Sequence, residues 1–428
     1  PEPSDLDEPT PPKTQETRET EADEVQRAPP KPSHAEKGDR DEQVKSEQPD
    51  EAMMKGYPIL LLVKDRASLL QQTIASLRSV RGGKNARIYV ARDGENVQVT
   101  RVLEAAGLLS NAKVHTQRRV YGPPWKVGAT KIARHYRWAF ETAFSAFEPD
   151  AEGFIVIEDD LLFSPDFLEY FEAAVPLVQK DPTLWVASAW HDNGFDYLVH
   201  DAKTLYRTDF MPGLGWFMGK KLWTDELSKK WPDQHWDHWM RDPKQHLGRE
   251  VIFPQVPRVF HNGIKGTFME ARTHERYFAR IATNFDERIR WTAMDSAITA
   301  AESRHYEERV SREMAAAESL KSVAKVVQVL NEGAKKDVVI WISASPAPTQ
   351  QKMQFEPIAL FFGIWHEARR GEHRGMHEMW YRDTHVFLVN VHQGLDTLSH
   401  MNVRMKIVAP RSYRHAMPKG IQPLVAQD

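Results

Sequence analysis

Gly153-Phe-Ile-Val-Ile-Glu-Asp-Asp160 is the stretch from which the fold of this chain is read. Phe154 to Ile157 is a short apolar run with β-branched residues behind a glycine, which predicts a buried sheet strand. Three consecutive carboxylates follow at its carboxyl end. In an open α/β sheet, ligands bind outside that end of the strands. Adjacent carboxylates repel one another unless a cation lies among them, and hard divalent ions take oxygen ligands and bridge to phosphates. The two readings are a solvated acidic turn and a metal-diphosphate site. The buried strand in front of the acids favours the second.

Outward from that strand, helix and strand signals alternate. Pro58-Ile-Leu-Leu-Leu-Val63 reads as a strand, followed by a helix through Leu69, Ile74 and Leu77. Arg87-Ile-Tyr-Val-Ala91 reads as a second strand ending at Arg92-Asp93-Gly94, with a helix over 97–106 behind it. This spacing is that of βαβ units, so the fold class is α/β with a mostly parallel sheet. Residues 131–147 are amphipathic, with Ile132, Tyr136, Phe140, Ala143 and Phe147 at helical spacing. Ser164-Pro165 predicts the N-cap and first position of a helix running to about Gln179. Trp185-Val-Ala-Ser-Ala189 predicts another strand. Further on, 300–330 predicts one long Ala- and Glu-rich helical stretch, and 338–342 and 385–390 predict strands.

Bulk properties narrow the function classes. The 428 residues include 13 Trp and 19 Phe, enough for one large core or two modest ones. Residues 1–50 hold 15 Asp/Glu against 7 Lys/Arg, nine prolines and no aromatic residue. Such a segment cannot bury enough apolar area to offset its ordering entropy, so 1–56 is expected to be a disordered stalk. The whole chain carries −3 and that segment −8, which leaves +5 for the remainder. The balance suits an anionic ligand and points to no nucleic-acid partner. No apolar stretch reaches the roughly 18 residues of a membrane span. Cysteine is absent, which excludes disulfides and thiolate metal sites.

Several charged and aromatic residues fall on the edge occupied by the acidic strand tip. Asp65-Arg66 ends the first strand and Arg92-Asp93 the second. Arg66 offers a planar fork for a phosphate or a uracil carbonyl, and Asp93 an acceptor for the uracil N–H. In Asp209-Phe-Met-Pro-Gly-Leu-Gly-Trp216, the glycines would let backbone approach a ligand and Trp216 would give it a flat wall; a glycine-kinked strand with a core tryptophan is the other reading. Trp231-Pro-Asp-Gln-His-Trp-Asp-His-Trp-Met240 sets Asp237 among indoles, where a carboxylate should lose hydration and suit a general base. His235 and His238 raise zinc as an alternative, without the Glu-x-x-His pattern that would support it.

Taken together, these stretches resemble a known family. Lys131-Ile-Ala-Arg-His-Tyr-Arg-Trp-Ala139, Glu158-Asp-Asp160, Ser164-Pro-Asp-Phe167, Ser188-Ala-Trp-His-Asp-Asn-Gly194, Leu205-Tyr-Arg-Thr-Asp209, Pro212-Gly-Leu-Gly-Trp216, Lys230-Trp-Pro232 and Trp236-Asp-His-Trp-Met-Arg241 stand in the order and spacing of the alpha-1,3-mannosyl-glycoprotein 2-beta-N-acetylglucosaminyltransferase (N-acetylglucosaminyltransferase I) family. The resemblance runs strongly over 57–300 and weakly over 355–390, leaving 331–354 and 391–428 outside it.

What the resemblance implies is a nucleotide-diphosphosugar transferase of GT-A type. It is an α/β/α sandwich over 57–300 with a smaller C-terminal α+β domain over 301–390 and an extension of unknown role over 391–428. By motif position, Arg66, Asp93 and His135 would contact the uridine of UDP-N-acetylglucosamine, and Glu158 and Asp159 its sugar and ribose. Asp160 would be the direct Mn²⁺ ligand, Trp236 would face the N-acetylglucosamine, and Asp237 would be the catalytic base toward a mannose-terminated glycan acceptor. The family setting implies a Golgi membrane enzyme with a lumenal catalytic domain, anchored through a segment absent from this chain. Departures are the missing cysteines, His238 where a second Asp is usual, and a loop, His261-Asn-Gly-Ile-Lys-Gly-Thr267, that fits only at Lys265-Gly266. Protein O-linked-mannose β-1,2-N-acetylglucosaminyltransferases share some of the motifs. Rival readings are a glycoside hydrolase on Asp160 and Asp237 and an inactive carbohydrate-binding scaffold.

Overall fold

The structure, a computed structural model, describes residues 56–291, 295–320, 323–333, 336–342, 355–366 and 368–390. The expected stalk, apart from Gly56, and the extension over 391–428 lie outside the described residues. Along the chain come β1 (Ile59–Val63), α1 (Ala67–Ser79), β2 (Ile88–Asp93), α2 (Val97–Ala105), β3 (Ala112–His115), α3 (Pro124–Thr142) and β4 (Gly153–Glu158). β5 (Leu161–Phe163), α4 (Phe167–Lys180), β6 (Leu184–Ala187), β7 (Leu205–Thr208) and β8 (Trp216–Gly219) follow. Next are α5 (Trp236–Met240), α6 (Pro243–His246), β9 (Glu250–Pro254), β10 (Val259–His261) and α7 (Ala271–Arg276). The C-terminal part holds α8 (Asp295–Ala301), α9 (Ser303–Ala316), β11 (Glu318–Leu320), α10 (Val323–Glu332), β12 (Val338–Ile342), α11 (Glu356–Phe362), β13 (Met376–Tyr381) and β14 (Thr384–Asn390).

The central sheet has the order β3-β2-β1-β4-β8, and only β8 runs antiparallel. β1 is apolar at every position because both sheet faces are covered. Ile59, Leu61 and Val63 enter one core with Leu70, Ile74 and Leu77 of α1, Val99 and Leu103 of α2, and Phe167 and Phe171 of α4. Leu60 and Leu62 enter a second core with Ala133, Tyr136 and Phe140 of α3 and with Trp216, Trp223, Trp231 and Trp236. The alternation of β4 does the same, with Ile155 and Ile157 on one side and Phe154 and Val156 on the other. This is the α/β class read from the sequence, with helices on both faces of a mostly parallel sheet.

A second sheet, β6-β9-β7, and a C-terminal mixed sheet, β11-β12-β14-β13, extend the body. Tyr206 of β7 and Phe253 of β9 share a core with Tyr306 and Val310 of α9 and with Trp341 and Phe387. Arg207 is fully buried and bonds Glu250 (3.0 Å), Asp181 (3.1 Å) and the carbonyl of Ala301 (2.9 Å). A buried guanidinium needs this many acceptors to replace water. On the other side, Glu250 takes the His373 imidazole at 2.5 Å, fixing the C-terminal part to the β6-β9-β7 sheet.

Two sequence expectations are corrected. The stretch over 300–330 is not one helix: α8 and α9 are followed by β11, whose Glu318–Leu320 pairs in parallel with Val338–Ile340. Helix-favouring composition yields to strand pairing that is set from elsewhere in the chain. The helix expected to start at Ser164-Pro165 starts at Phe167. Asp166 sits at its cap position without capping it, because its buried carboxylate binds Arg258 at 2.7 Å and accepts from Asn284 and Trp291. Among the described residues, no helix is long and apolar enough to cross a membrane.

Candidate active site

Because β1, β2, β3 and β4 are parallel, their carboxyl ends share one edge. Register pairs Leu62 with Glu158, Val63 with Arg92, and Asp93 with His115, while antiparallel β8 begins there with Trp216 beside Val156. Arg66, Asp93, Glu158, Asp159 and Asp160 therefore emerge on the same side of the sheet.

The three acids form a buried cluster closed by one cation. Arg66 donates to Asp160 Oδ2 at 2.6 Å and pairs with Asp159 Oδ1, which also faces the backbone of Lys64 through its other oxygen. Burial opposes the charge of Arg66, but Asp160, Asp159 and Glu158 together outweigh it and hold its pKa above the usual range. Burial pushes Glu158 up to about 7, with Asp160 adding to the effect. It pushes Asp159 up to about 6 although Arg66 pulls the other way. Three carboxylates thus share one arginine. Asp160 Oδ1 is buried with no hydrogen-bond partner. An orphaned carboxylate oxygen on the ligand edge of the sheet fits a single direct protein ligand to a hard divalent cation.

Across this cluster lie β10 and the loop that follows it. His261 Nε2 stands 3.4 Å from Asp160 Oδ2, and Asn262 N–H donates to the Asp160 carbonyl at 2.8 Å. At Gly263 a Cβ would stand 2.3 Å from Asp160 Oδ2 and 3.2 Å from Arg66 Nη1, so only glycine passes here. None of these contacts was legible from sequence, since Asp160 lies 101 to 103 residues from its partners and Arg66 lies 197 from Gly263.

The tryptophan-rich segment takes a different form from the one expected. Asp237 is not enclosed by indoles: its side chain is 37% exposed and accepts from Arg241 at 3.0 Å. Arg241 is nearly buried and also donates to the Met211 carbonyl at 3.0 Å, which fixes the carboxylate. His235, with φ of 46°, turns the chain into α5 so that Trp236 points inward while Asp237 stays at the mouth. Trp236 stacks on Tyr136 with centroids 4.2 Å apart and lies behind it against Trp216 and Trp231. The wall role expected of Trp216 is not observed, because Trp216 is 1% exposed and belongs to the core. The glycines of its turn serve the fold: Gly213 and Gly215 have φ of 78° and 74°, and their carbonyls accept from Ser188 Oγ and Ala189 N.

Tyr136 connects the two halves of the site. Its hydroxyl donates to Glu158 Oε1, and its pKa is raised by burial, then by Glu158, Asp237 and Asp160. One phenol thus lies in the field of both the acid cluster and the proposed base. The sequence showed it only as an apolar helix position.

The residues expected to hold uridine divide into two groups. Arg66 sits with the acid cluster, whereas Asp93 and His135 lie together with His115, their ligand atoms within 4.8 Å of one another. Asp93 accepts from Gln117 at 2.6 Å. His135 is 6% exposed, faces His115 at 3.3 Å and the Ala91 carbonyl at 3.1 Å, and burial lowers its pKa to about 4. It is therefore neutral at pH 7. His235 and His238 are in edge contact and join no candidate metal group among the described residues.

The C-terminal part reaches the Asp237–Arg241 pair through Arg370. Arg370 stacks on Trp365 at 3.8 Å and donates to Asp192 at 3.0 Å, while Arg241 and Arg370 both lie over the Phe210 ring. The Ser188–Gly194 motif carried Asp192, but nothing local paired it with Arg370.

Residues 17–402 match the GNT-I family. The chain belongs to that family. The match takes in 331–354 and part of 391–428, which the sequence motifs left out. The alpha-1,3-mannosyl-glycoprotein 2-beta-N-acetylglucosaminyltransferase of Arabidopsis thaliana is 32% identical over 322 residues, spanning 73% of this chain and 68% of that protein. Among solved structures, S. aureus TarS 1–349 aligns over 60% of this chain and 84% of its own, at 10% identity and a TM-score of 0.33. The WbbM bifunctional glycosyltransferase aligns over 44% of this chain and 38% of its own, at 12% identity and a TM-score of 0.27. At such scores these two likenesses carry no argument. The GT-A type α/β/α arrangement rests on the sheet topology and the family match.

Proposed function

We propose that the protein is an inverting, metal-dependent glycosyltransferase. It moves N-acetylglucosamine from UDP-N-acetylglucosamine to the 2-hydroxyl of an α-1,3-linked mannose on a high-mannose N-glycan. The observation that carries this reading is the acid-tipped strand β4, with the orphaned Asp160 oxygen on the ligand edge of the sheet of a GNT-I family member. Mn²⁺ held by Asp160 would supply Lewis-acid stabilisation of the diphosphate leaving group.

The remaining roles fall to the side chains of this chain. Arg66 positions the Asp159 and Asp160 carboxylates and adds positive charge where the donor phosphates lie. Asp93, with neutral His135 behind it, offers an acceptor to the uracil N–H. Tyr136 holds Glu158 toward the sugar, and Trp236 stacks behind the Tyr136 ring. Asp237 is exposed enough to meet an acceptor and is oriented by Arg241; it takes the proton from the mannose 2-hydroxyl as that oxygen attacks the anomeric carbon opposite the diphosphate. The attack converts an α-linked donor to a β-linked product. General-base assistance of this kind is worth about 10²–10⁴-fold.

The similarity to the Arabidopsis enzyme favours an N-linked over an O-linked mannose acceptor. The acidic, proline-rich N-terminal segment suits the stalk of a Golgi enzyme facing the lumen. Incubation with UDP-N-acetylglucosamine and either a high-mannose N-glycan or an O-mannosyl peptide, with Mn²⁺ or with chelator, tests the reading. Transfer to the N-glycan that requires the cation is expected. Transfer only to the O-mannosyl peptide, glycan cleavage without donor, or UDP binding without turnover would each replace it.

A further inference from the structure

The sequence between Glu104 and Glu141 contains no acidic residue at all, yet it carries Lys113, Arg118, Arg119, Lys126, Lys131, Arg134 and Arg137. In a chain with a net charge of −3, seven cations over 36 residues with no acid make a local surplus. Arg137 pairs with Glu141, but Arg118, Arg119, Lys126, Lys131 and Arg134 have no carboxylate partner among the described residues. Arg118, Arg119, Lys126 and Arg134 are exposed.

The fold places this surplus at the donor edge. The segment leaves that edge at Gln117, whose amide donates to Asp93 at 2.6 Å and to the Lys131 carbonyl at 3.0 Å. It returns at Gly128, where a Cβ would stand 2.4 Å from Thr267 of the loop that follows Gly263. Between these ties run residues 118–126, every one of them exposed except Val120. The Arg119 guanidinium is held over the Tyr121 ring at 5.0 Å, and Trp125 is 54% exposed.

We infer that the exposed segment 118–126, tied at both ends beside the acid edge, is an electrostatic guide for the nucleoside-diphosphate donor. The inference rests on the UDP-sugar reading above and deepens it. The donor is an anion that must approach Glu158, Asp159 and Asp160, and that cluster repels it. A cationic flank beside the same edge offsets the repulsion and raises the local donor concentration, an effect that reaches 10–10³-fold in focused sites and falls with ionic strength. The neutral mannose acceptor gains nothing from it.

The test replaces Arg118→Gln, Arg119→Gln and Lys126→Gln together. kcat/KM for UDP-N-acetylglucosamine is measured at saturating acceptor from about 10 mM to about 1 M ionic strength, over which the screening length shrinks from about 30 Å to about 3 Å. At low salt the triple variant should lose about threefold to tenfold in kcat/KM through KM. The two proteins should converge at high salt, with kcat, acceptor KM and melting temperature unchanged. Parallel salt curves would overturn the guide, as would a loss that persists at high salt. Normal donor kinetics with lost binding to anionic phosphatidylserine vesicles would also overturn it and assign the patch to a lipid surface. Should the unmutated protein show no transfer, the function reading fails by itself. UDP affinity by calorimetry over the same salt range then decides the guide.

Discussion

Gly263→Ala isolates the apposition of the β10 loop and the acid cluster. Gly263 lies outside the left-handed backbone region, so the substitution adds a methyl without adding conformational strain. That methyl would stand 2.3 Å from Asp160 Oδ2, 3.1 Å from its Cγ and 3.2 Å from Arg66 Nη1. Ordinary contact requires a separation of about 1 Å more, and neither partner can yield freely, because Asp160 is buried and Arg66 is bonded to both aspartates. Overpacking of this kind costs about 1–3 kcal/mol. Displacing a reacting-site group by about 1 Å is worth up to about a hundredfold in rate. UDP affinity in the presence of Mn²⁺ should therefore fall about tenfold to a hundredfold, and kcat/KM at least as much. Calorimetry gives the first and initial rates the second, with a melting curve to verify folding. An alanine variant that bound UDP and turned over normally would refute the packing of Gly263 on Asp160.

Three further outcomes are expected. Asp237→Asn keeps the shape but removes the proton acceptor, so kcat should fall by about two to four orders of magnitude while KM for the donor moves little; a proportional loss of donor binding would exclude Asp237 as base. UDP binding should need a divalent cation and Asp160→Ala should abolish that dependence; equal affinity of the unmutated protein with and without Mn²⁺, measured by calorimetry, would rule out the metal assignment. His377 is buried, which lowers its pKa from 6.5 to about 3, so it is neutral when folded and protonates when unfolded below pH 6.5. Its contribution is present at neutral pH and lost as pH falls: at pH 4.5 protonation of the unfolded chain costs about 3 kcal/mol, so the stability gap between the unmutated protein and His377→Asn should shrink by about that much from pH 7.5 to 4.5 in denaturant titrations. A gap independent of pH would contradict the neutral state.

The α/β class, strands β1, β2 and β4 of the central sheet and the acid tip of β4 were legible because each is a local signal, whereas the short edge strand β3 was not read. An unbroken apolar run and a change of character at its end are properties of consecutive residues. Parallel pairing then carries Asp93, Glu158 and Asp160 to one edge without further information. The expectation of an indole-enclosed Asp237 failed because sequence neighbours on a short helix point in different directions. Trp236 faces the core and Asp237 the mouth.

Composition also determined something by itself: the acid-free run between Glu104 and Glu141 is visible before any fold is known. Only the tertiary structure decided what that run flanks, which acid Arg66 neutralises, that Tyr136 joins Glu158, that Gly263 must lack a side chain, and that Arg370 meets Asp192. These pairings span from 22 to 178 residues, and the longer ones leave no periodicity or spacing in the chain. They exist because burial obliges each polar group to find a partner wherever the packed elements place one.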